Sequence, residues 1–437
     1  MTEERVCDLL VIGAGLSGMA AAARAAGHGL SCVVAGNPSS LTFSSGLMDY
    51  LGIYPAGTSC FLKVPEKHLT DLEKDFPGHA YAIAGDAPIV EGFEFIRKIL
   101  AREGLNYTRV PSQGENRYVL TAMGTIKPSF MVPETMASGC RALAGDSGSL
   151  TLAVAGIKGL QGFSAAQVAE GVKSKFLDTI PVRAELPGVR TVVPPQILAG
   201  QMADPEGLNA FISQVRAGAG KADILGLPAV CGIDNSEAVI GRLQEALKIP
   251  VFEIPCSPPS IPGLRLKNAF ERYLSRSGIA LLSNTRIKDP VFDGTRFILT
   301  ADLDPGELKI RPRGVILATG RFFGNGLHAR RERIVETVFH LDIVQPLGRN
   351  LWHDSSFLSP GGHKINQAGV RTDKVFRPLD ERDRPVYTHL YAVGSILAYN
   401  DWPRLKSGSG TALVSAFTAV DHFAESLADT AEAGHGC

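Results

Sequence analysis

The sequence predicts an α/β protein built on a parallel sheet, with a second α/β domain inserted into the first. Three observations predict it. An apolar strand at residues 6–12 runs straight into Gly13-Ala14-Gly15-Leu16-Ser17-Gly18 and then into a helix of small residues at 19–26. Far downstream, two more apolar strands end in small residues, at 315–320 and 390–395, and Ser407-Gly408-Ser409-Gly410-Thr411 opens a second helix rich in Ala and Val. Between them, residues 145–260 alternate strands, proline-rich turns and helices with no second GxGxxG. The expected boundaries are 1–110 for the first part of the main domain, 111–262 for the insertion and 263–437 for the second part.

The opening stretch supplies the strand–turn–helix setting that gives a GxGxxG run its meaning. Gly13 permits a tight turn, Gly15 lets the backbone approach a phosphate, and Gly18 lets the helix pack closely on the sheet. The N–H groups of Leu16, Ser17 and Gly18, with the helix dipole, attract negative charge. This is a Rossmann-like, FAD/NAD(P)-binding signature. A second strand follows at 30–35, and a dinucleotide fold usually ends it with an acid that holds a ribose hydroxyl. Here that place is Gly36, between Ala35 and Asn37. The phosphate half of the fingerprint is present and the ribose half is missing.

The 437 residues are 45% hydrophobic, enough for two or three ordinary cores. Lys+Arg and Asp+Glu number 44 each, so nothing draws the whole chain to nucleic acid or to an anionic membrane. Seven scattered cysteines without a CxxC give neither a disulfide scaffold nor a zinc or iron–sulfur site, and no metal is expected. Cys7 and Cys32 fall on core strands, where a small apolar residue is the plain reading. With the glycine turn already at residue 13, no signal peptide is expected. No apolar run approaches the roughly 20 residues that span a bilayer. A cytoplasmic protein is expected, attached to a membrane only through a partner.

Residues 37–49 form a loop rich in hydroxyls and glycine, longer than a connector requires. Ser44, Ser45 and Gly46 could hold a phosphate or a flavin edge there, or simply face solvent. Residues 91–103 carry a one-sided apolar stripe of Phe93, Ile96, Ile99 and Leu100, ended by Gly104. Residues 118–128 suggest a hairpin, 150–157 a strand, and 164–176 a helix capped by Ser164. The proline-dense stretch 255–263 reads as a rigid domain crossing, followed by an amphipathic helix at 264–275. Arg265 on that helix either reaches an anion or belongs to a solvated charged face. His363, in a glycine-rich loop, is the best generic acid/base candidate, with a surface histidine as the plainer reading. Lys406 and Arg404 precede the C-terminal glycine-rich helix start, where they could stabilise negative charge on a bound group.

Each glycine motif is weak alone, and their order carries the weight. An N-terminal GxGxxG, an Ala-Thr-Gly strand with Thr319 and Gly320, a Tyr-Ala-Val-Gly strand with Gly394, and a helix start at Gly408, Gly410 and Thr411 together resemble the two-dinucleotide-binding-domain flavoproteins. Nearly the whole chain is similar to the B-subunit family of anaerobic glycerol-3-phosphate dehydrogenases. The residues that carry this are Phe43-Ser44-Ser45-Gly46-Leu47-Met48-Asp49, Val154-Ala155-Gly156-Ile157-Lys158-Gly159-Leu160, Pro258-Pro259-Ser260 with Gly263-Leu264-Arg265-Leu266, and Arg321-Phe322-Phe323-Gly324-Asn325-Gly326-Leu327. The resemblance implies a flavoprotein subunit of a three-part respiratory enzyme of glycerol metabolism and anaerobic respiration. It would oxidise sn-glycerol 3-phosphate to dihydroxyacetone phosphate and pass electrons toward a quinone. The implied partners are a catalytic flavoprotein subunit and an iron–sulfur subunit that anchors the complex at the inner membrane.

The implied cofactor is FMN, with FAD as the alternative. FMN has a phosphate but no adenosine ribose, so the gap at Gly36 is one that an FMN site tolerates. On that reading Gly15→Val abolishes flavin binding and Gly36→Glu is nearly harmless. Two other readings stand beside it: an autonomous flavin oxidoreductase with its own small substrate, and a flavin-free scaffold that docks the other subunits.

Overall fold

In this computed structural model the described residues are 3–58, 60–85, 87–110, 114–145 and 147–433. Cys437 and the expected boundary residue 111 lie outside them. The chain divides into two compact units: residues 1–40, 49–96 and 270–437 form one, and residues 41–48 and 97–269 form the other. The helices Ala87–Arg102 and Ile261–Arg276 each run across a division. The short segment 41–48, read from sequence as part of the main domain, belongs with the insertion.

The first unit is organised on a seven-stranded sheet. Its strands lie in the order Arg286–Phe292, Phe297–Asp302, Glu307–Leu317, Glu3–Ile12, Cys32–Gly36 and Ala280–Ser283, with Leu390–Ala392 also pairing with Glu307–Leu317. The first strand is parallel to both neighbours, and Phe297–Asp302 alone is reversed, pairing antiparallel with Arg286–Phe292 on one side and Glu307–Leu317 on the other. Leu9, Leu10 and Val11 are wholly buried, as a central parallel strand covered on both faces requires. Cys7 and Cys32 are buried free thiols in that core. Burial pushes the Cys7 thiol up to about 12, so it is inert at neutral pH.

The helix Leu16–Gly27 fits between sheet and C-terminal helix because its buried face is alanine. Small side chains allow close backbone approach. Arg24 is its one large polar residue. Its Nε and Nη2 donate to Asp421 at 2.6 and 2.8 Å, and the guanidinium lies 5.0 Å from the Phe417 ring centroid. Both partners sit on the C-terminal helix Gly408–Ala433, so one arginine ties the first helix to the last.

The second unit holds an all-parallel four-stranded sheet in the order Asp178–Ala184, Thr151–Ile157, Ile224–Pro228 and Val251–Ile254. Two apolar clusters cover its faces. One gathers Leu198, Met202, Phe211, Val215 and Leu243, and the other Val168, Val172, Phe176 and Phe252. The hairpin Arg117–Leu120 with Ile126–Ser129 is antiparallel. Helix Ala165–Val172 begins as its sequence dictates, with the Ser164 hydroxyl accepting from Gln167 N at 3.3 Å. It ends at Val172, four residues before the expected end, where a short 3₁₀ turn takes over.

Candidate cofactor site

The first unit brings the glycine motifs together at the carboxyl ends of three neighbouring parallel strands, Glu3–Ile12, Glu307–Leu317 and Leu390–Ala392. The turn is closed by Gly13 N donating to Ala35 O at 2.7 Å and by Ala318 N donating to Ile12 O at 2.8 Å. Gly13 has φ +113°, and a Cβ there would run into Ala318 O. A Cβ on Gly18 would run into Gly13 O. These two glycines are demanded by the chain's own backbone.

Gly15 differs. Its φ of −77° suits any residue, and a Cβ there would meet only Ser40 Oγ, at 3.8 Å. It is the N-cap of helix Leu16–Gly27, with no side chain capping the first turn. The N–H groups of Leu16, Ser17 and Gly18 thus have no helical acceptor, and the space in front of Gly15 is open. Such an arrangement could cradle a phosphate.

The neighbouring motifs line the same strand ends. Gly394 N donates to Ser415 Oγ at 2.9 Å, and a Cβ on Gly394 would lie 2.7 Å from Ser17 Cβ. Gly320 has φ +68°, with Ser395 Oγ as its nearest neighbour, 3.4 Å from where a Cβ would stand. The Thr319 hydroxyl is buried with no hydrogen-bond partner among the described residues. A buried unmet hydroxyl beside an open phosphate cradle fits a bound polar group. Gly408, Gly410 and Thr411 open the C-terminal helix. Gly410 N donates to Asp49 O at 2.8 Å, and a Cβ on Gly410 would strike the Tyr81 hydroxyl.

Behind that helix start lies a buried polar group that sequence reasoning missed. His79 is buried, and its Nδ1 accepts from Tyr81 N at 3.2 Å. Burial pushes His79 down to about 4, against the pull of Asn400 toward the charged form. Arg321 donates to the carbonyls of Asn366, Leu397 (3.2 Å) and Asn400 (2.9 Å). Burial lowers Arg321 to about 10, with Asp401 opposing. Asp401 is raised by burial, opposed by Arg404 and Arg321. The only sequence signal was placement: Arg321 follows Ala-Thr-Gly, and Asn400-Asp401 precedes the helix start.

Lys406 is half-buried, with φ +53°, and its carbonyl accepts from Gly52 N at 3.2 Å. Arg404 is held by Pro360 O and by Asp401 at 3.8 Å. His363 is fixed by its own loop. Its Nδ1 accepts from Asp354 N at 3.0 Å, and Nε2 lies 3.1 Å from Phe357 O. Both ring nitrogens therefore serve the loop, which describes a staple rather than a proton carrier.

The remaining expected residues lie in the second unit. The Ser44 hydroxyl accepts from Gly46 N at 3.1 Å and the Ser45 hydroxyl from Leu47 N at 3.4 Å. Each O–H stays available to donate. Gly46 has φ +77°, a Cβ on it would lie 2.6 Å from Pro262 Cβ, and its carbonyl accepts from the Tyr107 hydroxyl at 2.7 Å. Ser260 N donates to Thr42 O at 2.8 Å, and the Ser260 hydroxyl donates to Ser44 O. The double-proline stretch thus clamps the Phe-Ser-Ser-Gly turn.

Arg265 is not on a solvated face. It is buried, with Nη1 and Nη2 on the two Glu253 oxygens at 2.6 and 2.8 Å and Nε on Gly232 O at 3.0 Å. Glu253 also accepts from the Thr135 hydroxyl at 2.7 Å and Cys231 N at 2.8 Å. Burial opposes the Glu253 charge, yet Arg265 and these donors hold its carboxyl below the ordinary range. The guanidinium is committed to the interior of its own unit.

A family model described as FAD binding domain matches residues 8–410. The chain belongs to that family. Its cofactor is accordingly a flavin, and the family's flavin is FAD, the second of the two expected from sequence. FMN is what the resemblance implies, and the gap at Gly36 was only compatible with it; the geometry leaves that gap no bearing on the choice. A Cβ on Gly36 would stand 2.8 Å from Ala14 N and 3.0 Å from Gly13 Cα, so Gly36 has a packing reason of its own. For the same reason Gly36→Glu is not harmless.

Proteins named as the B subunits of anaerobic glycerol-3-phosphate dehydrogenases are similar to nearly the whole chain. That of Actinobacillus succinogenes is 28% identical, covering 96% of this chain and 98% of its own. That of Vibrio cholerae is 26% identical over 97% and 98%, and that of Yersinia enterocolitica 28% over 96% and 98%. Among solved structures, 3-ketosteroid delta1-dehydrogenase from Sterolibacterium denitrificans is 15% identical, covers 97% of this chain and 100% of its own, and gives a TM-score of 0.45. Among the described residues, no group of three or more His, Cys, Asp or Glu side chains is placed to hold a metal, and no helix is long and apolar enough to cross a membrane.

Proposed function

We propose that this chain is the flavin-bearing subunit of an anaerobic glycerol-3-phosphate dehydrogenase. The complex would oxidise sn-glycerol 3-phosphate to dihydroxyacetone phosphate and deliver the electrons to a quinone. This chain would relay them between a catalytic flavoprotein subunit and an iron–sulfur subunit at the inner membrane. The observation that carries the reading is similarity to those B subunits from one end to the other, with the phosphate cradle open at Gly15.

Gly15, Leu16, Ser17 and Gly18 would hold the flavin's phosphates through backbone N–H groups, Gly13 would close the turn that presents them, and Thr319, Gly320, Gly394, Gly408, Gly410 and Thr411 would border the rest. Ser44 and Ser45 would each have a hydroxyl proton to donate. Bound FAD supplies a two-electron carrier that can release electrons one at a time. Lys406 would place positive charge beside the C-terminal helix start. His79 would be neutral at physiological pH, and Arg321, held through Nη1 and Nη2 by three carbonyls, would keep its buried Nε free to donate.

The test is purification with and without the two partner subunits, release of the flavin by heat and its identification by chromatography. The isolated chain should be yellow and should not bleach on addition of glycerol 3-phosphate, whereas the assembled complex should. Bleaching of the isolated chain would instead make it an autonomous oxidoreductase, and a colourless complex-forming chain would make it a scaffold. Lys406→Ala should shift the flavin potential or occupancy, and an unchanged redox titration would dispose of that role.

A further inference from the structure

One region of the first unit is built outward. The hairpin Leu327–Ala329 with Ile334–Glu336 turns through Arg330-Arg331-Glu332-Arg333. The Gln345 side chain fastens the following segment to it, accepting from Ile334 N at 2.6 Å and donating to Ile334 O at 2.9 Å. Arg349 then donates to Arg330 O at 3.2 Å and lies over the ring of buried Trp352, 5.1 Å from its centroid. Downstream, His363 pins the loop that carries Phe357 and Leu358.

What this framework presents is apolar and basic. Leu347, Phe357 and Leu358 are 88%, 87% and 83% exposed. Isolated exposed leucines are ordinary, but three such side chains at full reach on one pinned segment call for a cover. The hairpin to which the segment around Leu347 is fastened also lines a cavity of about 510 Å³, bordered by Arg286, Arg330, Arg333, His328, His340 and Glu336. Its one acid, Glu336, is buried and accepts from Val338 N (2.8 Å) and Phe339 N (2.7 Å). Among the described residues, none of Arg330, Arg331, Arg333 and Arg349 forms an ion pair with a carboxylate, and the turn 330–333 is exposed, with three arginines to one glutamate.

We infer that this face docks a partner protein: a companion subunit whose surface carries an apolar recess rimmed by Asp and Glu. The recess would take Phe357 and Leu358, and the acids would enter the arginine-lined cavity. Arginine and aromatic anchors with charge complementarity are the composition of a protein interface core and its rim. The inference rests on the reading of this chain as one subunit of a complex. It gives His363 a positioning role in assembly.

The experiment is co-expression of the full chain with the catalytic flavoprotein and iron–sulfur subunits, followed by size-exclusion chromatography and titration at low and high salt. Phe357→Ser with Leu358→Ser should weaken the complex by about 30-fold or more. Arg330→Glu with Arg333→Glu should weaken it and abolish its salt dependence. Both double variants should keep wild-type flavin content and melting temperature, because these side chains support nothing in the fold. Val192→Ser, an exposed apolar residue of the other unit, should leave assembly intact.

Co-elution of wild type and both double variants alike would overturn the docking face and leave the proposed complex standing. Failure of the wild type to co-elute would bring down both. Loss of binding to phosphatidylglycerol vesicles, or loss of self-association, with subunit assembly unchanged, would also overturn it by giving the face another occupant.

Discussion

Gly36 faces the backbone of Ala14, and a Cβ on Gly36 would stand 2.8 Å from the Ala14 nitrogen. The end of the second strand is thus pressed against the phosphate turn, with φ +157° at Gly36. The place where a ribose-holding acid would be sought is closed by backbone. Any side chain there must displace the turn that Gly13 and Ala14 form.

Gly36→Glu is therefore expected to destabilise the protein by about 1–3 kcal/mol or more through overlap and backbone strain. Thermal melting should show this directly, together with a lowered flavin content. A melting temperature equal to wild type would mean the turn yields easily and the packing argument is wrong.

Gly15→Val should behave in the opposite way. The new side chain enters open space in front of the helix start, so the melting temperature of the flavin-free chain should stay within a few degrees of wild type. Flavin content of the purified chain should fall to near zero, because the phosphate approach is blocked. Retained flavin would place the phosphate elsewhere.

Glu253→Gln should cost about 3–5 kcal/mol, because it leaves Arg265 buried and without its counter-charge. Denaturant unfolding of the single variant, and of Glu253→Met with Arg265→Met, separates charge from packing. Recovery of most of the loss in the double variant is the expected outcome. A single variant as stable as wild type would show that the ion pair contributes nothing.

His79 predicts a pH dependence of stability. Its folded value of about 4 lies below its ordinary 6.5, so the fold favours the neutral ring. The unfolded chain then binds more protons between those values. Stability from this site is complete above pH 6.5, declines as pH falls toward 4 and levels off below, a loss of about 3 kcal/mol at most. Melting temperatures of wild type and His79→Gln across that window should diverge, with the variant flatter. Parallel curves would show that His79 is not buried neutral.

Much of the glycine turn of the candidate site was legible because its constraints are local. A GxGxxG between an apolar strand and a helix of alanines specifies a turn, a phosphate approach and a close packing within six residues, and Gly13 and Gly18 serve as their spacing implies. Ser164 likewise declared its helix start. Arg265 was not legible. A helical stripe shows which residues share a face, not what covers that face. The partner Glu253, the carbonyl of Gly232 and the burial of all three are set by how a strand, a loop and a helix meet.

The sequence by itself determined the α/β class, the parallel sheet with its phosphate turn, and the resemblance to the B-subunit family of the glycerol-3-phosphate dehydrogenases. These follow from periodicity, glycine spacing and motif order, which are properties of short segments and their succession. Only the tertiary structure decided that Gly36 is a packing glycine rather than a missing acid, that Arg265 is an interior ion-pair partner, that His363 staples a loop and that His79 is buried beside Asn400. Each depends on groups brought together from distant parts of the chain. Burial, which sets the charge and the availability of a side chain, exists only once the chain has folded.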